Sequence, residues 1–281
     1  MTDKVIMVVL AAALLHAIWN AVVKGSNDKI VSMVAVVLGH VPFALIVLFF
    51  VEPPMSISWG WLFFGVVLHV GYQLFLVTAY RFGDLSQVYP IARGVAPLLV
   101  TLISILFLGV FLTNFQLVAI VVITIGITSV CLVRKNDGAL NGSAVVLALI
   151  TGSFIAGYSL VDGIGARLSG SALGFYSWLA LGNAFVMIIA TCFMRPGVLR
   201  DVGRNSKAII IFGGGASFIA YALVVWAFTQ APIALVTALR ETSIVFALLI
   251  GVFHLKERLS LVKVFSTAVT LGGAAMLRFS R

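Results

Sequence analysis

Long apolar runs divided by short polar breaks recur along the whole chain. A helix needs roughly 20 apolar residues to cross the hydrocarbon core of a bilayer. Ten segments of that kind are predicted, at 4–23, 30–51, 59–81, 86–109, 115–133, 143–165, 171–194, 207–230, 232–253 and 259–278. The breaks carry turn or charge signals: Gly25-Ser26-Asn27-Asp28-Lys29, Glu52-Pro53-Pro54, Gly83-Asp84, Arg134 to Gly142, Arg195-Pro196-Gly197 and Lys256-Glu257-Arg258. Between the eighth and ninth runs there is only Gln230-Ala231-Pro232. Runs this long satisfy their own backbone groups in lipid as helices, whereas a barrel strand would alternate over about ten residues, and no such alternation is present. The expected fold class is an all-α integral membrane protein of ten transmembrane helices. The longest polar break, around 195–207, leaves no room for a soluble domain. Residues 1–23 read as a retained first helix rather than a signal peptide, because further spans follow at once.

Composition agrees with the pattern. Of 281 residues, 62% are hydrophobic and 10% charged, and the mean hydropathy is +1.19. A soluble domain carries roughly 45–50% apolar and about 25% charged residues, so lipid must solvate most of this chain. The net charge of +9 does not indicate nucleic acid, because the basic residues sit in the breaks rather than on one polar face. One set of breaks holds Lys24, Lys29, Arg81, Arg134, Lys135, Arg195, Arg200, Arg204, Lys207, Lys256, Arg258 and Lys263; the opposite set holds Lys4, Arg167, Arg278 and Arg281. This bias places both termini on the outer side. Cys131 and Cys192 lie inside apolar runs and read as small fillers.

The second half repeats the first. Sliding 93–134 onto 240–281 brings Arg93 onto Arg240, Leu112-Thr113 onto Leu259-Ser260, Gly126 onto Gly273 and Arg134 onto Arg281. The coincidence of two intramembrane arginines carries the argument, since apolar matches arise by chance. The expected division is a first five-helix repeat over 1–137 and a second over 138–281. Five spans per copy insert the copies in opposite senses, giving inverted repeats around a central cavity.

Arg93 and Arg240 lie well inside the fourth and ninth spans. A central arginine costs roughly 2.5–3.5 kcal/mol on insertion scales, so it ordinarily faces a cavity or a partner. Glu241 projects about 100° around the helix from Arg240 and can reach toward Arg93. Two readings stand side by side: substrate contact by both arginines, or a buried Arg–Glu pair that fixes helices. Polar stripes at helical spacing add candidate wall residues: His16, Trp19 and Asn20 in the first span, and His69, Tyr72 and Gln73 in the third, with Lys24 and Tyr80 beyond them. Tyr89 precedes Arg93 by one turn, Tyr158 and Asp162 lie four apart in the sixth span, and Tyr221 lies in the eighth. Taken singly, each of these aromatic residues reads as packing or an interface anchor, as Trp59 and Trp61 do. His16, His69 and Asp162 are proton-coupling candidates, as is Glu241, because histidine titrates near neutrality and buried carboxylates can hold protons. The histidines show no metal-ligand spacing, so neither a metal nor a cofactor is expected. Pro90 and Pro97 bracket Arg93 and suggest a kinked, hinge-like helix. Gly213-Gly214-Gly215 and Gly272-Gly273-Ala274 read as close helix contacts.

The chain resembles the EamA-type members of the drug/metabolite transporter superfamily over its full length. The resemblance is carried by His16-Ala17-Ile18-Trp19-Asn20, by Ala79 through Ser86, by Pro97, and by Leu255-Lys256-Glu257-Arg258-Leu259-Ser260 before the last span. The first copy departs from that turn, because Gly109-Val110-Phe111-Leu112-Thr113 lacks the glutamate. The resemblance implies a cavity lined by helices 1, 3, 4, 6, 8 and 9, small-metabolite transport, often efflux of amino acids, and a multi-pass protein of the bacterial cytoplasmic membrane. A phosphonate-associated subgroup is also similar.

The function expected is alternating-access transport of a small anionic or zwitterionic metabolite, such as an amino-acid-like compound, organic acid or phosphonate. Arg93 and Arg240 would hold its anionic group and Glu241 or Asp162 an amine or protons. Tyr72, Gln73, Tyr89, Trp19, Asn20, Tyr158 and Tyr221 would shape the cavity. The partners expected are a small-molecule substrate, the bilayer and protons, with no nucleic acid, in a monomer or homodimer. The rivals are an intramembrane enzyme on lipid-linked substrates, for which no catalytic set has sensible spacing, and a channel or non-transporting scaffold.

Overall fold

The computed structural model of the protein describes residues 1–24, 26, 28–82, 85–129, 142–253 and 260–280, without the side chains of Lys24, Tyr80, Arg81, Leu85, Ser86, Gln87 and Asn205. Cys131, Arg134, Lys135, the turn 255–259 with Glu257, Gly83-Asp84 and Arg281 therefore lie outside the described residues, as do the side chains of Lys24 and Tyr80.

The described residues fold into helices with no strand among them. The first half contains α1 (Asp3–Lys24), α2 (Lys29–Leu48), α3 (Trp59–Phe82), α4 (Leu85–Leu106) and α5 (Asn114–Ser129). The second contains α6 (Gly142–Leu168), α7 (Ala172–Met194), α8 (Val198–Asn205), a π-helical turn (Ile209–Gly214) running into α9 (Gly215–Gln230), α10 (Ile233–Arg240), α11 (Ser243–Phe253) and α12 (Leu261–Phe279). Nine segments of the described residues are long and apolar enough to cross a membrane, with α10 and α11 together forming one of them; α5 is a shorter apolar helix. The ten expected spans are thus accounted for.

Local chemistry sets the helix ends. The Asp28 side chain caps α2 by accepting from the Val31 N–H at 3.0 Å, and Ser171 caps α7 through the Gly174 N–H at 3.1 Å, each supplying an acceptor for a donor the helix cannot satisfy. Thr113 accepts from the Gln116 N–H at 3.2 Å while the Gln116 side chain accepts from the Thr113 N–H at 3.0 Å, a reciprocal capping box at the start of α5. Ser260, which the repeat alignment places on Thr113, caps α12 through the Lys263 N–H at 3.3 Å.

The packing has a two-fold pattern. Here α1 to α5 correspond in order to α6, α7, α9, α10–α11 and α12. The pairing of α3 with α6 is matched by that of α9 with α1, and that of α4 with α6 by that of α10–α11 with α1. Meanwhile α2 meets α7, α5 meets α12 and α4 meets α10 across the axis. At the α5–α12 seam the contacts are reciprocal: Gly126 lies against Thr270 and Ser266, and Gly273 lies against Ala119 and Ile123. A Cβ on Gly273 would come within 2.6 Å of Ile123. The Ser266 hydroxyl also donates to the Gly126 carbonyl. Gly214 allows a second close approach, for a Cβ there would lie 2.5 Å from the Gly39 Cα.

Two local expectations change. The ninth span is not one helix over 232–253: α10 ends at Arg240, and Glu241-Thr242 form a turn before α11. The Glu241 and Thr242 N–H groups bond three residues back, to Ala238 and Leu239, tightening the chain there. By contrast α4 runs without interruption through Pro90 and Pro97, although Pro97 offers no N–H to the Arg93 carbonyl. The discontinuity thus lies in the second repeat rather than beside Arg93. Finally, the polar break at 195–207 contains α8, whose Val198 and Val202 bury against Val31, Val34 and Ala35 of α2. Arg195 ties this corner together by pairing with Asp28 and, at 2.8 Å, with Asp201. Partial burial pushes the Asp28 carboxyl up, but the Arg195 and Val31 hydrogen bonds outweigh it and hold it below its ordinary 3.8.

The largest core cluster fills one end of the bundle. Val5, Ile6 and Val9 of α1 meet Val100, Ile120, Phe228, Leu235, Val236 and Leu277 there. No comparable cluster fills the opposite end among the described residues, where α1 finishes and α2 begins.

Candidate functional site

The bundle encloses a chamber that opens toward the end where α1 finishes and α2 begins. Its outer part, about 230 Å³, is lined by Asn20, Val23, Lys29, Ser32, Leu76, Tyr89, Arg93 and Ile250, among others. Its inner part, about 80 Å³, is lined by His40, His69, Gln73, Tyr158, Tyr176, Asn183, Tyr221 and Arg240. His16, Trp19, Met33, Val36 and Tyr72 border both parts and form the neck between them. The packed cluster around Val9 and Leu235 closes the far end. Among the described residues, packed side chains close one end of the chamber and not the other.

The neck is held by a chain of polar contacts. The Trp19 indole N–H donates to His16 Nδ1 at 3.2 Å. In a neutral imidazole the proton then resides on Nε2, which lies 3.4 Å from the Tyr89 hydroxyl. Asn20 donates back to the His16 carbonyl at 2.7 Å. The Tyr89 ring lies 5.7 Å from the Arg93 guanidinium, within cation–π range.

The two arginines differ. Arg93 Nε lies 2.8 Å from Glu241 Oε2, with both side chains buried, and its Nη2 donates to Ser243 at 3.3 Å. Glu241 does reach toward Arg93, and the turn after α10 is what aims it there. Arg240 is also buried, and its Nε and Nη2 have no hydrogen-bond partner among the described residues. The ring of Tyr221 lies 5.8 Å from it. Other buried polar atoms on the inner wall also lack partners: His40 Nε2, Gln73 Oε1 and Asn183 Oδ1.

Behind the wall, Asp162 Oδ2 lies 2.8 Å from His69 Nε2 and accepts from the Tyr221 hydroxyl at 2.6 Å. The His69 ring stacks on Tyr158 at 4.2 Å and meets Tyr221 edge-on at 5.3 Å. Tyr72 packs against Tyr158, and Tyr176 against Tyr221.

The sequence-derived candidates divide accordingly. Trp19, Asn20, Tyr72, Gln73, Tyr89, Arg93, Tyr158, Tyr221, Arg240, His16 and His69 all line the chamber. Glu241 and Asp162 stand behind it, each in contact with a lining residue. Sequence reasoning missed His40, Tyr176 and Asn183, together with the participation of α2 and α7, so the wall is wider than helices 1, 3, 4, 6, 8 and 9. Tyr176 and Asn183 lie seven apart on one face of α7, a signal that could have found them. Isolated His40 offered none.

A bundle of membrane-spanning helices in two repeats, enclosing a polar chamber open to one side, is the architecture of a membrane transport protein. The EamA-like transporter family matches the chain twice, over residues 3–132 and 142–279. The chain belongs to that family and is a multi-pass membrane transporter of the drug/metabolite type. Among solved structures, a crystal structure of a protein that is 17% identical shares the fold with a TM-score of 0.75, covering 98% of this chain and 96% of its own. No curated protein matches the chain.

Proposed function

We propose that this transporter carries a small anionic or zwitterionic metabolite, with Arg240 as the group that receives the anion. The observation that carries this reading is the buried guanidinium of Arg240, which lines the inner chamber with two nitrogens unpaired. A buried ion without a carboxylate partner is costly, and a carboxylate or phosphonate entering the chamber would complete it. Gln73 Oε1 and Asn183 Oδ1, on the same wall and unpaired, offer acceptors to an ammonium group, as in an amino-acid-like solute. Arg93 is already neutralised by Glu241; it shapes the outer chamber and fixes α4 to the turn after α10. Trp19, Tyr72 and His16 border the passage between the two parts.

Transport requires that the open and closed ends exchange. The basic residues gather at the open end, and the positive-inside bias supports a chamber open to the cytoplasm, with the bacterial inner membrane as the setting. The test is twofold. A thermal-shift screen of purified protein against amino acids, organic acids and phosphonates should find ligands that raise its apparent stability. Counterflow of those ligands in proteoliposomes should then be saturable and should fall roughly 10- to 100-fold in Arg240→Gln, the loss expected of one charge-assisted hydrogen-bonding group. Undiminished counterflow in that variant would overturn the role of Arg240.

A further inference from the structure

The reading above leaves Asp162 unused. Its carboxylate is fully buried, yet among the described residues no lysine or arginine pairs with it directly. Oδ2 takes the contacts with His69 and Tyr221, while Oδ1 has no hydrogen-bond partner. Gly65 makes room for that free oxygen, since a Cβ there would stand 2.7 Å from it. His69 itself lines the inner chamber, so the pair extends from the dry interior to the solute space. Tyr221 faces both ways: its hydroxyl donates to Asp162 and its ring lies 5.8 Å from the Arg240 guanidinium.

Charge balance gives this geometry a consequence. The buried charges of the chamber and its backing are Arg93, Arg240, Glu241 and Asp162, two of each sign, while Lys29 lies at the partly exposed mouth. The other titratable groups turned toward Asp162 are His69 from α3, Tyr176 from α7, Tyr221 from α9 and Tyr158 on its own helix. Tyr89 on α4 and His40 on α2 stand farther round the chamber. These hydroxyls and imidazoles carry no charge in their neutral forms, so the buried groups around the empty chamber balance. An anion on Arg240 would leave one negative charge in excess, in surroundings where unbalanced charge is expensive.

We propose that the His69–Asp162 pair is a proton-coupling site, linked to Arg240 through Tyr221, so that a monoanionic solute crosses together with one proton. The proposal rests on the reading of Arg240 as the anion site. A proton from water in the chamber joins the pair as the anion docks, converting the carboxylate–imidazole couple from a net charge of −1 to zero. It returns to water when the anion leaves, and no other bond changes. A zwitterion without net charge needs no proton.

L-glutamate and L-glutamine, close in size and different by one charge, are suitable probes in proteoliposomes loaded with a fluorescent pH indicator. Glutamate entry should acidify the lumen and accelerate when the outside is made acid; glutamine entry should do neither. Asp162→Asn, or His69→Gln should the first variant fail to fold, should lose the acidification and the response to the gradient. Glutamate entry with no acidification in the unaltered protein would overturn the proposal. If neither probe moves, the solute reading fails for amino acids, and a substrate-free measurement decides the coupling. In that measurement Asp162→Asn should lower the melting temperature by leaving positive charge in excess, and adding Arg240→Gln should restore it. A double variant no more stable than Asp162→Asn alone would overturn the link.

Discussion

Replacing Glu241 by glutamine leaves the shape of the chamber wall intact but removes the charge opposite Arg93. In the native protein Arg93 Nε lies 2.8 Å from Glu241 Oε2, with side-chain exposures of 6% and 2%. Among the described residues the other hydrogen bond of the guanidinium is to the Ser243 hydroxyl at 3.3 Å, a neutral and long one. Water is largely shut out, so the cation cannot recover its solvation. Breaking a buried pair in this way costs about 3–5 kcal/mol. For a chain of this length each kcal/mol moves the melting temperature by about 2 °C, so Glu241→Gln should melt roughly 6–10 °C lower in detergent. The double variant Arg93→Met/Glu241→Leu removes both charges and keeps the volume. Its melting temperature should return most of the way, because an apolar pair of similar size replaces a buried ion pair at little cost. Intrinsic tryptophan fluorescence during a thermal ramp follows both variants. A shift under about 2 °C in the single variant, or a double variant as unstable as the single, would refute the account of Arg93 and Glu241 as a mutually dependent clamp.

Other perturbations follow from the same coordinates. Gly214→Val should separate α2 from the start of α9 and lower stability by about 1–3 kcal/mol or more, seen as a lower melting temperature and poorer recovery of monodisperse protein. Asp28→Asn removes one of the two carboxylate partners of Arg195 at a partly exposed site, so its cost should stay under about 1 kcal/mol and shrink in high salt. Because the folded Asp28 carboxyl is held below 3.8, that contribution is present above the ordinary value and is lost as pH falls through the lowered one. The difference in melting temperature between the two proteins should therefore vanish in acid. In a background lacking Cys131 and Cys192, a cysteine at Val23, in the outer chamber, should react readily with a membrane-impermeant maleimide applied from the open side. A cysteine at Val9, in the closing cluster, should react at least about tenfold more slowly; equal rates would contradict one-sided access.

The spans were legible because lipid imposes a simple demand: a run of apolar residues long enough to cross, ended by charge or turn residues. The repeat was legible at Arg93 and Arg240, and the same alignment paired Thr113 with Ser260 and Gly126 with Gly273, which the structure uses as equivalent helix caps and reciprocal contacts. The turn at Glu241-Thr242 was not legible, because no proline or glycine marks it. It depends on a partner, Arg93, that is distant in the sequence. The prolines of α4 do not end its helix, since a helix packed on α6 and α5 can run past a missing hydrogen bond. In the site, the stripes on α1 and α3 stood out at helical spacing. Asn183 and His40 were obscured because each is the sole strongly polar group on a long stretch of apolar wall. The different fates of the two arginines were also out of reach, since Glu241 is the chain neighbour of Arg240 yet meets the distant Arg93, and only the turn decides which it meets.

That turn also makes α10 a short lever. Its eight residues, Ile233–Arg240, measure about 12 Å at 1.5 Å per residue, and they start at the extended corner around Ala231-Pro232. Arg240 sits at the tip. A tilt of about 10° about the corner would carry the tip sideways by about 2 Å, enough to trade one hydrogen-bonded solute position for another while α11 stays in place. The corresponding stretch of α4 is one continuous helix without such a turn. The two halves, alike in plan, thus differ in where the helix is interrupted, and the interrupted one carries the guanidinium that awaits a partner.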